Sequence, residues 1–364
     1  MQIKKLLIEN FRGIEKFERE FVDDFGNPAK VILIVGPNSS GKTSILDAIW
    51  FSLMSEMGYD LQRENFRPEA EFVVKTGENF ARVQLHIHLN QDEIASVNQL
   101  KNQLVQLKEI PHIADLAQDE IIVDWTYPAK HHYQEARYGG YQFEPKNARL
   151  ALHGQAYQKR YQQLSATNPT VLLGMIYLFE ENRIVKGKPI KMNPTITEKT
   201  MDIRALLIDL GIKQMMSKQP IYDSLYNNIQ TAFNQICAPC KMGRVYALES
   251  DGEYEIEFYA ENNALFGFDG LSSGQREILN FLVQYIVKRM SNSIILLDEF
   301  EMHLSDVWQN RLFTYLRDNT DSNQFIITTH NPYLTQFLSD EQIVDLRKLD
   351  DIPSWQYEVV GTDE

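Results

Sequence analysis

The sequence predicts an α/β fold: a P-loop-bearing mixed sheet with flanking helices, interrupted by a helical and irregular insert. Three observations carry that prediction. Buried-strand runs recur at KVILIVG (30–36), TVLLGMIYLF (170–179), SIILL (293–297) and QFIITT (324–329), the last β-rich and the others largely apolar. From residue 268 onward, strand-like and helix-like stretches alternate, as a parallel sheet requires. A glycine-rich turn, GPNSSGKTS (36–44), joins the first apolar run to the helical stretch SILDAIWFSLM.

The elements follow in chain order. MQIKKLLIENFRGI and FARVQLHIHL alternate with period two and read as half-buried strands around the glycine-rich turn. QDEIASVNQLKNQLVQLKEI is polar with helical apolar spacing, and an aromatic, basic stretch follows it up to Leu164. TEKTMDIRALLIDLGIKQMM and IYDSLYNNIQTAFNQI read as helices; RVYALE and EYEIEFYA read as a hairpin around Ser250-Asp251-Gly252. The expected organisation is therefore discontinuous. Residues 1–90, 170–196 and 240–364 form a head, residues 91–169 an insert, and residues 197–239 a helical lobe. No repeat, low-complexity tract or sustained heptad run occurs, so a long coiled coil is not expected.

Composition narrows the classes. A chain of 364 residues with 43% hydrophobic and 24% charged residues is ordinary globular material. The net charge of −14 excludes a nucleic-acid binder that uses its whole surface, so any such contact must be local. No uninterrupted apolar stretch has membrane-spanning length, and Met1 does not open a charged-then-apolar leader; no membrane partner is expected, and the cytosol is the expected location. Cys237 and Cys240 form a lone CAPC. Zinc needs four ligands and there is no second pair, so this pair reads as structural or incidental.

Four short motifs carry chemistry. Gly36, Gly41, Lys42 and Thr43 complete G-x-x-x-x-G-K-[ST], with strand before and helix after. In such a loop the backbone from Gly36 through Asn38, Ser39, Ser40 and Gly41 to Ser44 wraps phosphates, the lysine reaches the terminal phosphates, and the Thr43 hydroxyl binds Mg²⁺. Next, the run Ile294–Leu297 ends in Asp298-Glu299, which a buried parallel strand would present at its carboxyl end. There Asp298 would hold Mg²⁺ and Glu299 would polarise an attacking water. One crossover later, His330 follows another buried run, where it is placed to touch a γ-phosphate. Finally, Leu271-Ser272-Ser273-Gly274-Gln275 precedes helically spaced Ile278, Leu279, Leu282, Val283 and Ile286. A helix start of that composition makes an anion site.

In this order, the phosphate loop, LSSGQ, LLDE and TTH resemble the ABC-type ATPases, most of all their RecF/SMC-like and OLD-like branch. LLIENFRGIEKF is similar to that branch's opening strand, with Arg12 near the nucleotide; DEFEMHLSDVWQ and ITTHNPYL are similar to its later segments. The resemblance covers about residues 1–90 and 265–345. It implies ATP and Mg²⁺ as ligands and a homodimer. In that dimer the signature residues Ser272, Ser273, Gly274 and Gln275 serve the nucleotide held by the other subunit's loop. Three departures stand out. Phe300 replaces the usual Pro, and Ser305 with Asp306 stands where an Asp is usual. The glutamine of the Q-loop has no clear equivalent, and Glu180, Glu181 and Arg183 are candidates. His303, in the HL pair, reads as structural.

The insert reverses the chain's sign. Lys130, Arg137, Lys146, Arg149, Lys159 and Arg160 stand against Glu135 and Glu144, interleaved with histidines and tyrosines. Two readings stay open: phosphate contact with base stacking, or a Tyr-rich protein-contact flap. Two functions follow. One is a switch ATPase that controls a separately encoded effector, such as a nuclease, and resembles ATPase subunits of bacterial antiphage systems. The alternative is a RecF-like ATPase that clamps DNA in repair or recombination. Membrane transport is disfavoured by the NFRGI start and the TTHNP ending, and no nuclease constellation is expected within the chain.

Overall fold

A computed structural model describes residues 1–56, 73–106, 119–127, 176–179, 185–186, 202–216, 220–248, 253–287, 290–301, 303–319 and 322–347. Its strands are β1 (Gln2–Phe11), β2 (Ile14–Glu20), β3 (Val31–Val35), β4 (Ala81–His88), β5 (Glu120–Tyr127), β6 (Ile176–Phe179), β7 (Val185–Lys186), β8 (Lys241–Ala247), β9 (Tyr254–Tyr259), β10 (Leu265–Phe266), β11 (Ile294–Leu297), β12 (Gln324–Thr329) and β13 (Ile343–Asp345). Its helices are α1 (Lys42–Glu56), α2 (Gln91–Gln106), α3 (Ile203–Met216), α4 (Pro220–Ile236), α5 (Ser273–Val287) and α6 (Asp306–Asp318). The chain divides into two compact units, Met1–Leu172 with Ser339–Glu364, and Leu173–Leu338. The basic-aromatic residues from Lys130 to Arg160 and the Q-loop candidates Glu180, Glu181 and Arg183 lie outside the described residues.

In the first unit, β2-β1-β4-β5 form an antiparallel sheet. β4 alternates cleanly, burying Ala81, Val83, Leu85 and Ile87. β1 does not: its register with β4 shifts between Ile3 and Lys5, which lets Ile3 and then Leu6 and Ile8 share the buried face despite their opposite parity. β5 falls in the stretch expected to be insert, yet it pairs with β4 along its whole length. Helix α1 packs on β1, β4 and β5, with Phe11 centred 6.2 Å from Phe51 and 6.4 Å from Trp125. Residues Ile45 to Met54 of α1 are all buried, so the helix is apolar nearly all round. Helix α2 starts on a reciprocal cap: Glu93 N–H donates to Asn90 Oδ1 (2.8 Å) and Asn90 N–H to Glu93 Oε2 (3.3 Å). β13 runs parallel to β3, and Leu346 N–H donates to the Val35 carbonyl at 2.8 Å, just before the phosphate loop.

In the second unit, β11 lies between β12 and β6, parallel to both, and β7 pairs antiparallel with β6. All four residues of β11 and all six of β12 are buried, as a sheet covered on both faces demands. Phe281 of α5 sits 5.0 Å from Phe179 of β6. β8 and β9 form the expected hairpin, extended by β10. Helix α4 begins with Pro220 in its first turn and buries Leu225, Ile229, Phe233 and Ile236 at helical spacing. Cys237 and Cys240 are both buried and reduced in the turn that ends α4, and burial pushes the Cys237 thiol well above its ordinary pKa. Arg311 donates to the Ala238 carbonyl in the same turn. Among the described residues no group of side chains could hold a metal through three His, Cys, Asp or Glu ligands, and no helix is long and apolar enough to cross a membrane.

Candidate functional site

In the first unit the loop from Gly36 to Gly41 turns back sharply between β3 and α1. Ser39 (φ 62°) and Gly41 (φ 91°) both take left-handed conformations, the second one suited to glycine alone. Gly36 is close-packed: an added Cβ would lie 2.6 Å from Ser40 Oγ and 3.1 Å from Leu346 Cβ. Lys42 is buried, and its ammonium donates to the Gly36 (2.9 Å) and Pro37 (2.8 Å) carbonyls, bridging the loop from its last residue to its first. Asn38 and Ser39 are exposed, and Ser40, Thr43 and Ser44 are half-buried. Arg12, in the turn between β1 and β2, forms an ion pair at 2.5 Å with the fully buried Asp47 and lies over the Phe11 and Phe51 rings. Asp47 is one helical turn beyond Thr43, so this pair ties the β1–β2 turn to α1.

In the second unit β11 carries Asp298 and Glu299 out at its carboxyl end, as its apolar run implies. Asp298 is 7% exposed and accepts a hydrogen bond from Thr328 Oγ1 at 2.6 Å. Glu299 holds a left-handed backbone (φ 46°), and its N–H donates to Thr328 Oγ1 at 2.9 Å. His330 is half-buried one residue beyond β12, with its backbone N–H bound to the Glu301 carboxylate. Asn331 donates to Gln309 (2.6 Å), which in turn donates to the Leu304 carbonyl (2.9 Å), fastening this end of β12 to α6. Phe300, where a Pro is usual, is fully buried edge-on to Phe313.

The LSSGQ stretch caps α5. Ser272 N–H donates to Gln275 Oε1 (2.9 Å) and Gln275 N–H to Ser272 Oγ (3.3 Å), a reciprocal capping box. Those two bonds use the Ser272 hydroxyl and the Gln275 amide; the N–H groups of Ser273, which is exposed, and Gly274, which is buried, take no part in the box. Ser272 and Ser273 are exposed. Gly274 has a steric reason to be glycine: a Cβ there would lie 2.4 Å from the His303 carbonyl oxygen and 3.2 Å from the Trp308 ring. His303 itself is left-handed (φ 57°), with its ring 3.6 Å from Glu277.

A family model described as the AAA ATPase domain matches residues 1–335. The chain belongs to the AAA ATPase domain family. This ATPase is 20% identical to the retron Ec83 probable ATPase of Escherichia coli, over 94% of its own length and 71% of that protein's. It is also 20% identical to the Septu protein PtuA of Bacillus mycoides, over 94% of its own length but only 40% of that protein's. Among solved structures, an SMC head bound to the C-terminal winged-helix domain of ScpA superposes with a TM-score of 0.51 at 17% identity, covering 93% of this chain and 92% of that one. The fold is thus that of an SMC-head-like P-loop ATPase.

Within this ATPase, the second unit brings Asp298, Glu299 and His330 to one end of the β11–β12 pair, as the motif order anticipates. The sequence reading missed three residues that hold the candidate groups in place: Asp47, Glu301 and Thr328. It also gave Gly274 a phosphate-facing role without its packing role. Gly274→Ala is expected to destabilise the ATPase by about 1–3 kcal/mol, because the opposing His303 atom is backbone and cannot turn aside. Chemical denaturation checks this; wild-type stability would show that the α5 start stands off from residue 303.

Proposed function

We propose that this ATPase is a switch: two copies close around two Mg·ATP molecules, and hydrolysis reopens them to control a separately encoded effector in antiphage defence. In this reading Gly36, Asn38, Ser39, Ser40, Gly41 and Ser44 cradle the phosphates of one nucleotide through backbone donors, and Lys42 leaves its loop carbonyls for the terminal phosphates. Arg12, anchored by Asp47, is a further nucleotide-side cation. Thr43 and Asp298 would hold the metal; a hydroxyl and a carboxylate are the hard oxygen donors that suit Mg²⁺. Bound there, Mg²⁺ neutralises charge on the phosphate oxygens. Glu299 orients and polarises the attacking water, and His330 donates to the γ-phosphate. The partner subunit supplies the start of its own α5 through Ser272, Ser273, Gly274 and Gln275, whose backbone N–H groups would face the phosphate.

The observation that carries this reading is the start of α5. Its side-chain caps are internally satisfied, and it is solvated at Ser272 and Ser273. The match to relatives named for retron and Septu systems supports the defence setting. The test uses the chain with its neighbouring genes in a phage-sensitive host. Wild type is expected to lower phage plating and Lys42→Ala to abolish that protection. Equal plating with both would contradict an ATP-driven role in defence.

A further inference from the structure

We infer that Thr328 is a positioning residue for both acids of the ATPase, fixing Asp298 and Glu299 through one hydroxyl; this rests on the roles proposed above for those acids. Thr328 is fully buried in β12. The β11–β12 register pairs Leu297 with Ile327, so Thr328 stands opposite Asp298. Its Oγ1 donates to Asp298 Oδ1 at 2.6 Å and accepts from Glu299 N–H at 2.9 Å, while its carbonyl accepts from Phe300 N–H at 3.0 Å. Three successive residues beyond β11 therefore hang on one residue of the neighbouring strand.

The chemistry sets the direction of each bond. Glu299 N–H can only donate, so the hydroxyl proton is committed to Asp298, and Asp298 Oδ1 is an acceptor. That fixes the rotation of the carboxylate assigned to the metal. The same oxygen holds Glu299 in a left-handed backbone that a residue with a side chain rarely adopts. A threonine suits the task because its branched Cβ is stiff about χ1, and in a buried strand its methyl packs while its hydroxyl keeps one direction. Nothing in the amino-acid pattern marks Thr328 apart from Thr329: the distinction comes from strand register.

The test compares Thr328→Val, which keeps the shape and removes the hydroxyl, with Thr328→Ser, which keeps the hydroxyl. Melting temperature, nucleotide affinity in EDTA, the Mg²⁺ dependence of nucleotide binding and ATP turnover are measured for each. Thr328→Val is expected to keep its EDTA affinity but to lose about 10–100-fold in Mg²⁺ affinity and in turnover, with Thr328→Ser restoring most of both. Wild-type Mg²⁺ dependence and turnover in Thr328→Val would overturn the inference, as would equal losses in Val and Ser. If Thr328→Val does not fold, Thr328→Cys, with its poor donor, is read by the same measurements. Glu299→Gln is run alongside. Full turnover there defeats the role of Glu299 itself, whereas an inactive Glu299→Gln beside an unaffected Thr328→Val defeats only the role of Thr328.

Discussion

Glu299→Gln is expected to lower ATP turnover by about 10²–10³-fold while ATP remains bound. The amide has the size of the carboxylate but cannot polarise water as an anion does. The turn that carries it should survive, because its two anchors from the β12 strand, Glu299 N–H to Thr328 Oγ1 and Phe300 N–H to the Thr328 carbonyl, use backbone donors. Nucleotide affinity should survive as well, since the phosphate loop and Lys42 are untouched. Lys42→Ala should instead lose affinity, because its ammonium, held at the Gly36 and Pro37 carbonyls, is the cation of the phosphate loop. Phosphate release and equilibrium ATP binding, measured on both variants, separate the two effects. Wild-type turnover in Glu299→Gln would remove that residue from the chemistry.

Ser272→Arg and Lys42→Ala, each inactive alone, are expected to recover activity when mixed. If the signature serves the other subunit's nucleotide, a heterodimer places both lesions in one composite site and leaves the other intact. With random pairing and independent sites, about a quarter of wild-type turnover returns. Ser272 is exposed, so the longer side chain meets open space rather than the core. Its hydroxyl cap on Gln275 is lost, which costs about 0.5–2 kcal/mol of helix stability, so melting curves accompany the assay. No recovery in a mixture shown to contain heterodimers would contradict action in trans by independent sites.

Much of this architecture is written locally in the chain. The β3 and β11 runs are continuous apolar stretches because both faces are covered, and β12 is a β-rich run buried throughout; local composition alone reveals them. β1 is legible as a strand, but not its buried face, since a register shift near Lys4 reverses the parity that alternation implies. β5 was hidden for a different reason. EIIVDWTY follows a polar helical stretch and precedes the basic-aromatic one, and only its pairing with β4 reveals it as part of the sheet. The candidate site divides in the same way. Gly36, Lys42, Asp298 and His330 sit in motifs whose spacing is local. Thr328 acts on Asp298 across 30 positions of chain, and the steric need for Gly274 arises from His303, so neither could be read without the fold.

The dimer is the step on which the switch depends, and mass in solution tests it directly. Glu299→Gln, loaded with ATP and Mg²⁺, is expected to run at twice the 42.3 kDa mass of the chain and to return to a single chain when ADP replaces ATP. The same mass in ATP, in ADP and without nucleotide, with ATP binding confirmed, would contradict nucleotide-driven closure.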